Sequence, residues 1–233
     1  MSFDISVQFE RMAKVYIWPL LTNTSFMQLK DFPNIIFDLG GVVLNLDYLR
    51  TISAFQQLGI SEFESNYSQL VQTGLFDDYE RGEMTSGDFR DGIRKAFLIE
   101  VSDTEIDDAW NAMLLDLPKE RLEILRKLGE TKRIVLLSNT NEIHIRKFNQ
   151  ALKLEHGLND LSYYFQKLYY SYEVGMRKPE ARIFQHVLDE QGFNPAETLF
   201  IDDSPQHIEG ARKVGLNAYH LQVEKGETIL DLF

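Results

Sequence analysis

The regular alternation of short apolar segments with amphipathic segments after Pro118 constrains the fold more than any other feature. The apolar segments predict buried strands at 133–137, 168–171, 198–201 and 218–221. The amphipathic segments predict helices at 119–128, 142–152, 179–191 and 205–214. Strands that alternate with helices in this way are typical of a parallel sheet covered by helices on both faces. We therefore predict an α/β fold, a doubly wound, Rossmann-like parallel sheet.

An earlier apolar run, Ile35-Ile36-Phe37, ends in Asp38 and two glycines, and this pattern predicts a buried strand that joins the same sheet. The segment 48–117 shows helical spacing throughout, including helices at 85–97 and 102–115, and contains no strong strand. We expect a core domain of 34–47 and 118–233, an inserted α-helical cap domain of 48–117, and an N-terminal extension of 1–33 whose role the sequence does not define.

Composition narrows the range of partners. The 233 residues include 24 Lys and Arg against 36 Asp and Glu, a formal net charge of −12, which suits nucleic-acid binding poorly. Cysteine is absent, so a disulfide framework, a thiolate zinc site and a cysteine nucleophile are excluded.

The apolar run at 15–21 contains a proline and is far shorter than the ~20 residues that a membrane span needs. We expect a cytoplasmic monomer or homodimer that binds neither nucleic acid nor membrane.

Polar residues follow the predicted strands where those strands end. Asp38 follows the first strand, Ser138 and Asn139 end the second, and Lys178 and the pair Asp202-Asp203 come later. Ligands of such sheets bind beyond the carboxyl ends of the strands. Neighbouring carboxylates repel one another unless a cation joins them, and oxygen ligands without His or Cys suit Mg²⁺. A metal, a lysine and hydroxyl and amide donors together describe a phosphoryl site, where an aspartate can be the nucleophile.

The same motifs, in the same order, resemble those of the haloacid dehalogenase superfamily. They read FDLGGVV at 37–43, LLSNT at 136–140, GMRKPEARIF at 175–184 and FIDDS at 200–204. Within that superfamily, GMRKPEARIFQHVL and DDYERGEMT at 77–85 are similar to bacterial sugar-phosphate phosphatases of the alpha-D-glucose-1-phosphatase type. The resemblance implies a subfamily I hydrolase with a helical cap that uses Mg²⁺ to act on a small phosphorylated metabolite.

The resemblance also implies a role for individual residues. As metal ligands it implies Asp38, Gly40 through its carbonyl, Asp202 and Asp203. In catalysis it implies Asp38 as nucleophile, with Ser138 and Lys178. As substrate contacts it implies Ser138, Asn139 and Lys178 at the phosphoryl group, and Tyr79, Glu80 and Arg81 from a cap that closes over the site.

The sequence departs from the pattern of superfamily phosphatases at Gly40, where an aspartate usually serves as general acid and base. General acid–base catalysis raises a reaction rate about 10²–10⁴-fold, so the absence of this aspartate needs an explanation. A better leaving group, such as the hemiacetal oxygen of an anomeric sugar phosphate, would need less protonation. Alternatively, Asp47, Glu80 or His207 would supply the proton. The sequence leaves this choice open.

Two other functions would also be compatible with a glycine at position 40. A 2-haloacid dehalogenase displaces halide and needs neither a proton nor a metal, but an acidic pair such as Asp202-Asp203 would then oppose the charge of Asp38. A catalytically weak sugar-phosphate sensor would keep the fold without the chemistry, but it would have no need of Asp38. We therefore predict a phosphatase that works through an aspartyl-phosphate on Asp38.

Overall fold

The computed structural model describes residues 29–60 and 74–233. Five strands form one sheet in the order β3-β2-β1-β4-β5, and every pairing is parallel. The strands are β1 (Asn34–Phe37), β2 (Arg133–Ser138), β3 (Leu168–Tyr170), β4 (Thr198–Asp202) and β5 (Asn217–His220). The predicted doubly wound α/β fold with a helical insertion is confirmed. Residues 1–28 of the predicted extension and 61–73 of the predicted cap lie outside the described residues.

The helices of the described segments fall into an inserted group and a core group. The inserted group is α1 (Tyr48–Gln57), α2 (Leu75–Glu80), α3 (Ser86–Phe97) and α4 (Asp103–Asn111). The core group is α5 (Lys119–Gly129), α6 (Glu142–His156), α7 (Ser171–Val174), α8 (Ala181–Gln191) and α9 (Pro205–Lys213). Short 3₁₀ turns occur at Leu29–Asp31, Pro195–Glu197, Val223–Lys225 and Ile229–Asp231. In the described part of the chain, no helix combines the length and apolarity that a bilayer crossing requires.

The central strand β1 is buried on both faces because helices cover each side of the sheet. Ile35 and Phe37 pack into one apolar cluster with residues of α5 and α6, whereas Ile36 packs into another with residues of α8 and α9. Successive side chains of a strand point to opposite faces, so three consecutive apolar residues are what a strand covered on both sides needs. This burial holds the end of β1, and therefore Asp38, in a rigid setting.

The inserted helices have an apolar core of their own. Phe55, Phe76, Phe89 and Trp110 pack together there, and Ile143 of α6, a helix of the core group, joins them. Local signals start two of these helices: Thr85 and Ser102 each form a capping box with the acidic residue three positions on.

One predicted helix boundary is wrong for a tertiary reason. The helix predicted at 102–115 ends at Asn111. Beyond it the chain turns extended, since Asp47 N donates to Met113 O at 2.9 Å and Leu115 N donates to Asn45 O at 3.0 Å. This two-stranded contact joins the entrance and exit of the insertion beside the end of β1.

Candidate active site

Three carboxylates meet at the carboxyl end of the sheet. β1 and β4 are neighbours, with Phe37 opposite Ile201, so Asp38 and Asp202 leave the sheet side by side. One oxygen of each carboxylate of Asp38, Asp202 and Asp203 lies within 4.8 Å of the others. The strand order alone brings together residues 164 positions apart, because parallel strands end at the same edge.

A fully buried lysine bridges two of these carboxylates. Lys178 Nζ donates to Asp38 Oδ1 at 2.7 Å and to Asp202 Oδ2 at 2.6 Å. Asn139 holds the lysine backbone: its Nδ2 donates to Lys178 O at 2.8 Å, and Lys178 N donates to Asn139 Oδ1 at 2.8 Å. The side-chain amide of Asn139 is thereby occupied. The predicted contact of Asn139 with a phosphoryl group would have to come from its backbone N–H.

The charges in this cluster do not balance. Burial raises the pKa of Asp38 to about 8, with Lys178 opposing the rise and Asp202 and Asp203 adding to it. Burial and the Asp202 charge also raise the pKa of Asp203 to about 6. Burial acts in the same direction on Asp202, but Lys178 and a hydrogen bond from His207 outweigh it and hold that pKa at about 2. One ammonium is thus too little positive charge for three carboxylates.

A divalent cation fits this arrangement. The donor set consists of carboxylate oxygens that converge on one point, which is the chemistry that Mg²⁺ prefers. Gly41, at a φ of +74°, allows Asp203 to approach, because a Cβ there would lie 2.2 Å from Asp203 Oδ2. A bound cation favours the ionised carboxylates and so reverses the rise in pKa that burial causes at Asp38.

A cavity of about 310 Å³ lies over the carboxylate cluster. The predicted site residues that line it are Asp38, Gly40, Glu80, Ser138, Asn139, Lys178 and Asp203. Asp202 does not line the cavity; it is fully buried and contacts Lys178 and His207. The cavity therefore opens onto the candidate nucleophile, and its far wall belongs to the inserted helices.

Two predicted substrate contacts lie elsewhere. Tyr79 is buried in the cap core, where its OH lies 2.8 Å from Ser86 Oγ and its ring stacks on Phe89 at 4.2 Å. Arg81 pairs with Glu180 of the core at 2.6 Å. Neither lines the cavity, so this placement does not support a substrate contact for either. Of the three substrate contacts predicted from the cap, only Glu80 lines the cavity. Its neighbours point elsewhere because consecutive residues of a helix project about 100° apart.

The three candidate proton donors differ in whether they line the cavity. Asp47 caps α1 by accepting from Leu49 N at 3.0 Å and does not line the cavity. Glu80 and His207 both line it. Burial raises the pKa of Glu80, although Arg177 opposes this shift, whereas burial lowers the pKa of His207.

A side chain at position 40 would require the end of the Leu46 side chain to move. A Cβ built on Gly40 would lie 2.6 Å from Leu46 Cδ1. The apolar side chain of Leu46 thus occupies the space that an aspartate at position 40 would begin to fill.

Sequence reasoning missed several cavity residues. Arg177 lines the cavity and pairs with Asp77 at 2.5 Å and with Glu80 at 2.8 Å. Its position beside Lys178 in the same motif was a usable signal. Trp110 and His144 also line the cavity, but both lie in amphipathic helices, where an aromatic side chain is ordinarily a core residue.

The fold and the site together define a capped α/β hydrolase with an aspartate at the end of its central strand. The sequence matches the haloacid dehalogenase-like hydrolases over residues 32–215, and the chain belongs to that family. The predictions of the superfamily and of an enzyme are confirmed.

Known relatives share most of the chain. It is 29% identical over 193 residues to a D-ribitol-5-phosphate phosphatase of Bacteroides thetaiotaomicron, covering 83% of this chain and 92% of the relative. A solved HAD family enzyme of the same organism, bt-2542, in complex with magnesium and inorganic phosphate, is 39% identical with a TM-score of 0.76, covering 82% of this chain and 94% of that one. A HAD-like hydrolase structure from Porphyromonas gingivalis is 30% identical with a TM-score of 0.74, covering 82% and 91%.

Proposed function

We propose that this chain is a Mg²⁺-dependent phosphatase that hydrolyses the phosphate monoester of a small polyhydroxylated metabolite. The observation that carries this proposal is the cluster of Asp38, Asp202 and Asp203 at the floor of the cavity, with Lys178 bridging the first two. Two relatives support it: one is a D-ribitol-5-phosphate phosphatase, and the other binds magnesium together with inorganic phosphate.

The residues that would hold Mg²⁺ are the three carboxylates, with the Gly40 carbonyl as a further ligand. When bound, the ion would supply positive charge that stabilises the phosphoryl oxygens and the ionised aspartates.

The chain's own groups account for the rest of the reaction. A carboxylate oxygen of Asp38 attacks phosphorus, and the bond from phosphorus to the ester oxygen breaks, which leaves an acyl phosphate on Asp38. The Lys178 ammonium stabilises the transferring group, and in this proposal the Ser138 hydroxyl and the Asn139 N–H bind its oxygens; both residues line the cavity. Water then attacks phosphorus, breaks its bond to Asp38 and releases inorganic phosphate.

The leaving oxygen must gain a proton, and Gly40 has none to give. Glu80 is the carboxyl group that we assign to this step, because it lines the cavity and burial raises its pKa. A protonated carboxyl group can donate to an alkoxide as the ester bond breaks, and the Glu80 carboxylate that remains takes up the proton of the water that attacks the acyl phosphate.

Two classes of leaving group have separate support. An anomeric sugar phosphate releases a hemiacetal oxygen, which needs less protonation and so suits an enzyme with glycine at position 40. A sugar-alcohol phosphate is the substrate in the name of the Bacteroides relative. We propose the anomeric class as the preferred one and the sugar-alcohol class as the second candidate.

The test is phosphate release from glucose 1-phosphate, glucose 6-phosphate and D-ribitol 5-phosphate, with Mg²⁺ and again with EDTA. We expect release that EDTA abolishes, and a kcat/KM for glucose 1-phosphate at least tenfold above that for glucose 6-phosphate. Equal values for the two glucose phosphates would contradict the anomeric preference, and the highest value for ribitol 5-phosphate would favour the second class.

The same samples test the two alternative functions. Halide release from a 2-haloacid without phosphate release would favour a dehalogenase. Tight binding of these phosphates by folded protein without any turnover would favour a sensor. Either outcome would contradict the proposed phosphatase.

A further inference from the structure

One arginine of the core reaches two carboxylates of the cap. Arg177 lies in the loop between α7 and α8. Its Nη1 lies 2.5 Å from Asp77 Oδ1, and its Nη2 lies 2.8 Å from Glu80 Oε2. Asp77 and Glu80 are three positions apart in α2, so they are neighbours on one face of that helix. Because a planar guanidinium holds two acceptors in a fixed geometry, Arg177 fixes this face of α2 against the core.

The two carboxylate oxygens of Glu80 have different surroundings. Oε2 is buried against Arg177. The side chain as a whole keeps 23% of its surface exposed and lines the cavity. Oε1 keeps accessible surface and has no partner within the described segments. Arg177 therefore occupies one oxygen of Glu80 and leaves the other for a ligand in the cavity.

The same arginine belongs to the floor of the site. It precedes Lys178, which Asn139 holds at both its backbone N–H and its carbonyl and which contacts Asp38 through Nζ. The position of Arg177 is thus fixed relative to the candidate nucleophile. Since Glu80 is part of the inserted helices, its contact with Arg177 determines where its carboxyl group lies relative to Asp38.

The proposed reaction uses Glu80 first as an acid and then as a base. A group with both roles works best when its pKa lies near the pH of the reaction. Burial raises the pKa of Glu80, and Asp77 of the same helix adds to the rise, whereas Arg177 and Lys178 of the core oppose it. The positive charge of Arg177 thus keeps the ionised form of Glu80 accessible in a buried place.

We propose that Arg177 is a positioning residue for proton transfer to the leaving group. It holds Glu80 Oε2 so that Oε1 exchanges the proton, and Asp77 holds Arg177 in turn. In place of an acid at position 40 of the core, the cap supplies the acid, and Arg177 aligns it with the core when the two are in contact. This inference rests on the proposed phosphatase function and deepens it, because it names the residue on which the proton donor depends.

The first test compares two leaving groups. The alkyl substrate is glucose 6-phosphate or D-ribitol 5-phosphate, whichever the wild type hydrolyses faster. Arg177→Met is expected to lower its kcat about tenfold and that of p-nitrophenyl phosphate less than about twofold, because nitrophenolate leaves without a proton. If the methionine variant does not fold, Arg177→Lys replaces it with the same expected direction, since one ammonium cannot hold both carboxylates in a fixed geometry. Equal slowing of both substrates would overturn the proposal.

A double-mutant cycle tests whether Arg177 acts through Glu80. In the Glu80→Gln protein, Arg177→Met is expected to change the kcat of the alkyl substrate less than about twofold, because the group that it positions is already absent. Arg126→Met, at an exposed position of α5, is the matched control and should leave both substrates at wild-type rates. A full further loss in the Glu80→Gln background would show that Arg177 acts independently of Glu80 and would overturn the proposal.

A titration separates this inference from the proposed function. The carboxyl carbon of Glu80 is followed by NMR in Mg²⁺-loaded protein labelled at glutamate, and its signal is identified by its loss in Glu80→Gln. Arg177→Met is expected to move the midpoint of this titration to higher pH, because a neighbouring positive charge is gone. An unchanged midpoint would overturn the inference even if the enzyme releases phosphate. A raised midpoint in a protein that releases no phosphate would support the coupling of Arg177 to Glu80 and contradict the phosphatase alone.

Discussion

At the residue scale, Lys178 and Asp38 depend on each other. The lysine is fully buried, and both of its carboxylate partners are buried as well. An ammonium group in such a place is stable only because Asp202 and Asp38 offset the cost of its burial and raise its pKa. The pair is therefore part of the fold as well as part of the proposed chemistry.

Asp38→Asn is expected to abolish phosphate release while the protein still folds, because the amide keeps the shape of the side chain but cannot attack phosphorus. Turnover and circular dichroism are the measurements. Asp189→Asn on the surface of α8 is the matched control and should retain full activity. Substantial turnover by the Asp38 variant would remove this residue from the nucleophile role.

Lys178→Met is expected to lower the free energy of unfolding in EDTA by about 3–5 kcal/mol, since it leaves two buried carboxylates without their cation. Urea unfolding measures this change. Lys213→Met, at an exposed position of α9, is the control and should change stability by less than about 0.5 kcal/mol. Equal stability of the two variants would show that the buried charges are not coupled in this way.

Glu80→Gln is expected to slow the hydrolysis of alkyl phosphates about 10²-fold and that of p-nitrophenyl phosphate much less, because nitrophenolate leaves without a proton. The measurement is kcat for both substrates. Glu83→Gln, exposed beyond the end of α2, is the control. Equal slowing of both substrates would show that Glu80 does not donate the proton.

At the element scale, ion pairs join α2 of the cap to the loop that precedes α8. Arg81 contacts Glu180 at 2.6 Å, and Arg177 contacts Asp77 at 2.5 Å. These contacts hold one wall of the cavity in place, since Arg177 also reaches Glu80. Contacts of this kind between a cap and a core favour the closed arrangement.

Arg81→Gln and Glu180→Gln, alone and together, test this link by a double-mutant cycle on kcat/KM. We expect a coupling of at most about 1 kcal/mol, because both side chains are partly exposed, and we expect most of it in KM. Additive effects would show that this pair does not help to hold the cap closed.

Also at the element scale, local sequence patterns predict most of the strands and core helices. Each strand, and each long helix of the core, lies where its periodicity predicts, because burial on a sheet or a helix face leaves a local pattern. The end of α4 was the exception. Its last predicted residues pair instead with residues 45–47, and a contact so distant in sequence leaves no local pattern.

At the scale of the whole molecule, His144 links pH to stability. Its pKa falls from 6.5 to about 3 through burial, so the folded protein holds it neutral while the unfolded chain protonates it below pH 6.5. The unfolded state binds more protons in that range, and stability is therefore lost as the pH falls from 6.5 towards 3.

His144→Gln is expected to remove this dependence. Between pH 6 and pH 4 the wild type should lose up to about 1.4 kcal/mol per pH unit more than the variant, which corresponds to one proton. Urea unfolding at several pH values measures the difference. His186→Gln on α8 is the control variant. Parallel pH profiles for wild type and the His144 variant would contradict a neutral buried imidazole.

The sequence by itself determined the sheet and the residues at its edge. Strand and helix periodicities predict the α/β core, and the motifs place Asp38, Lys178 and the pair Asp202-Asp203 after strands or in the loops between them. Parallel topology then brings those positions together whatever the details of packing, because all the strands end at one edge.

Only the tertiary structure decided the far wall of the cavity. Tyr79 and Glu80 are neighbours in one short helix, yet the first packs into the cap core and the second lines the cavity. Trp110 of the inserted helices and His144 of the core helices stack on each other. Periodicity shows which face of a helix is buried, but it contains no information about which element covers that face, and the docking of cap on core supplies that information.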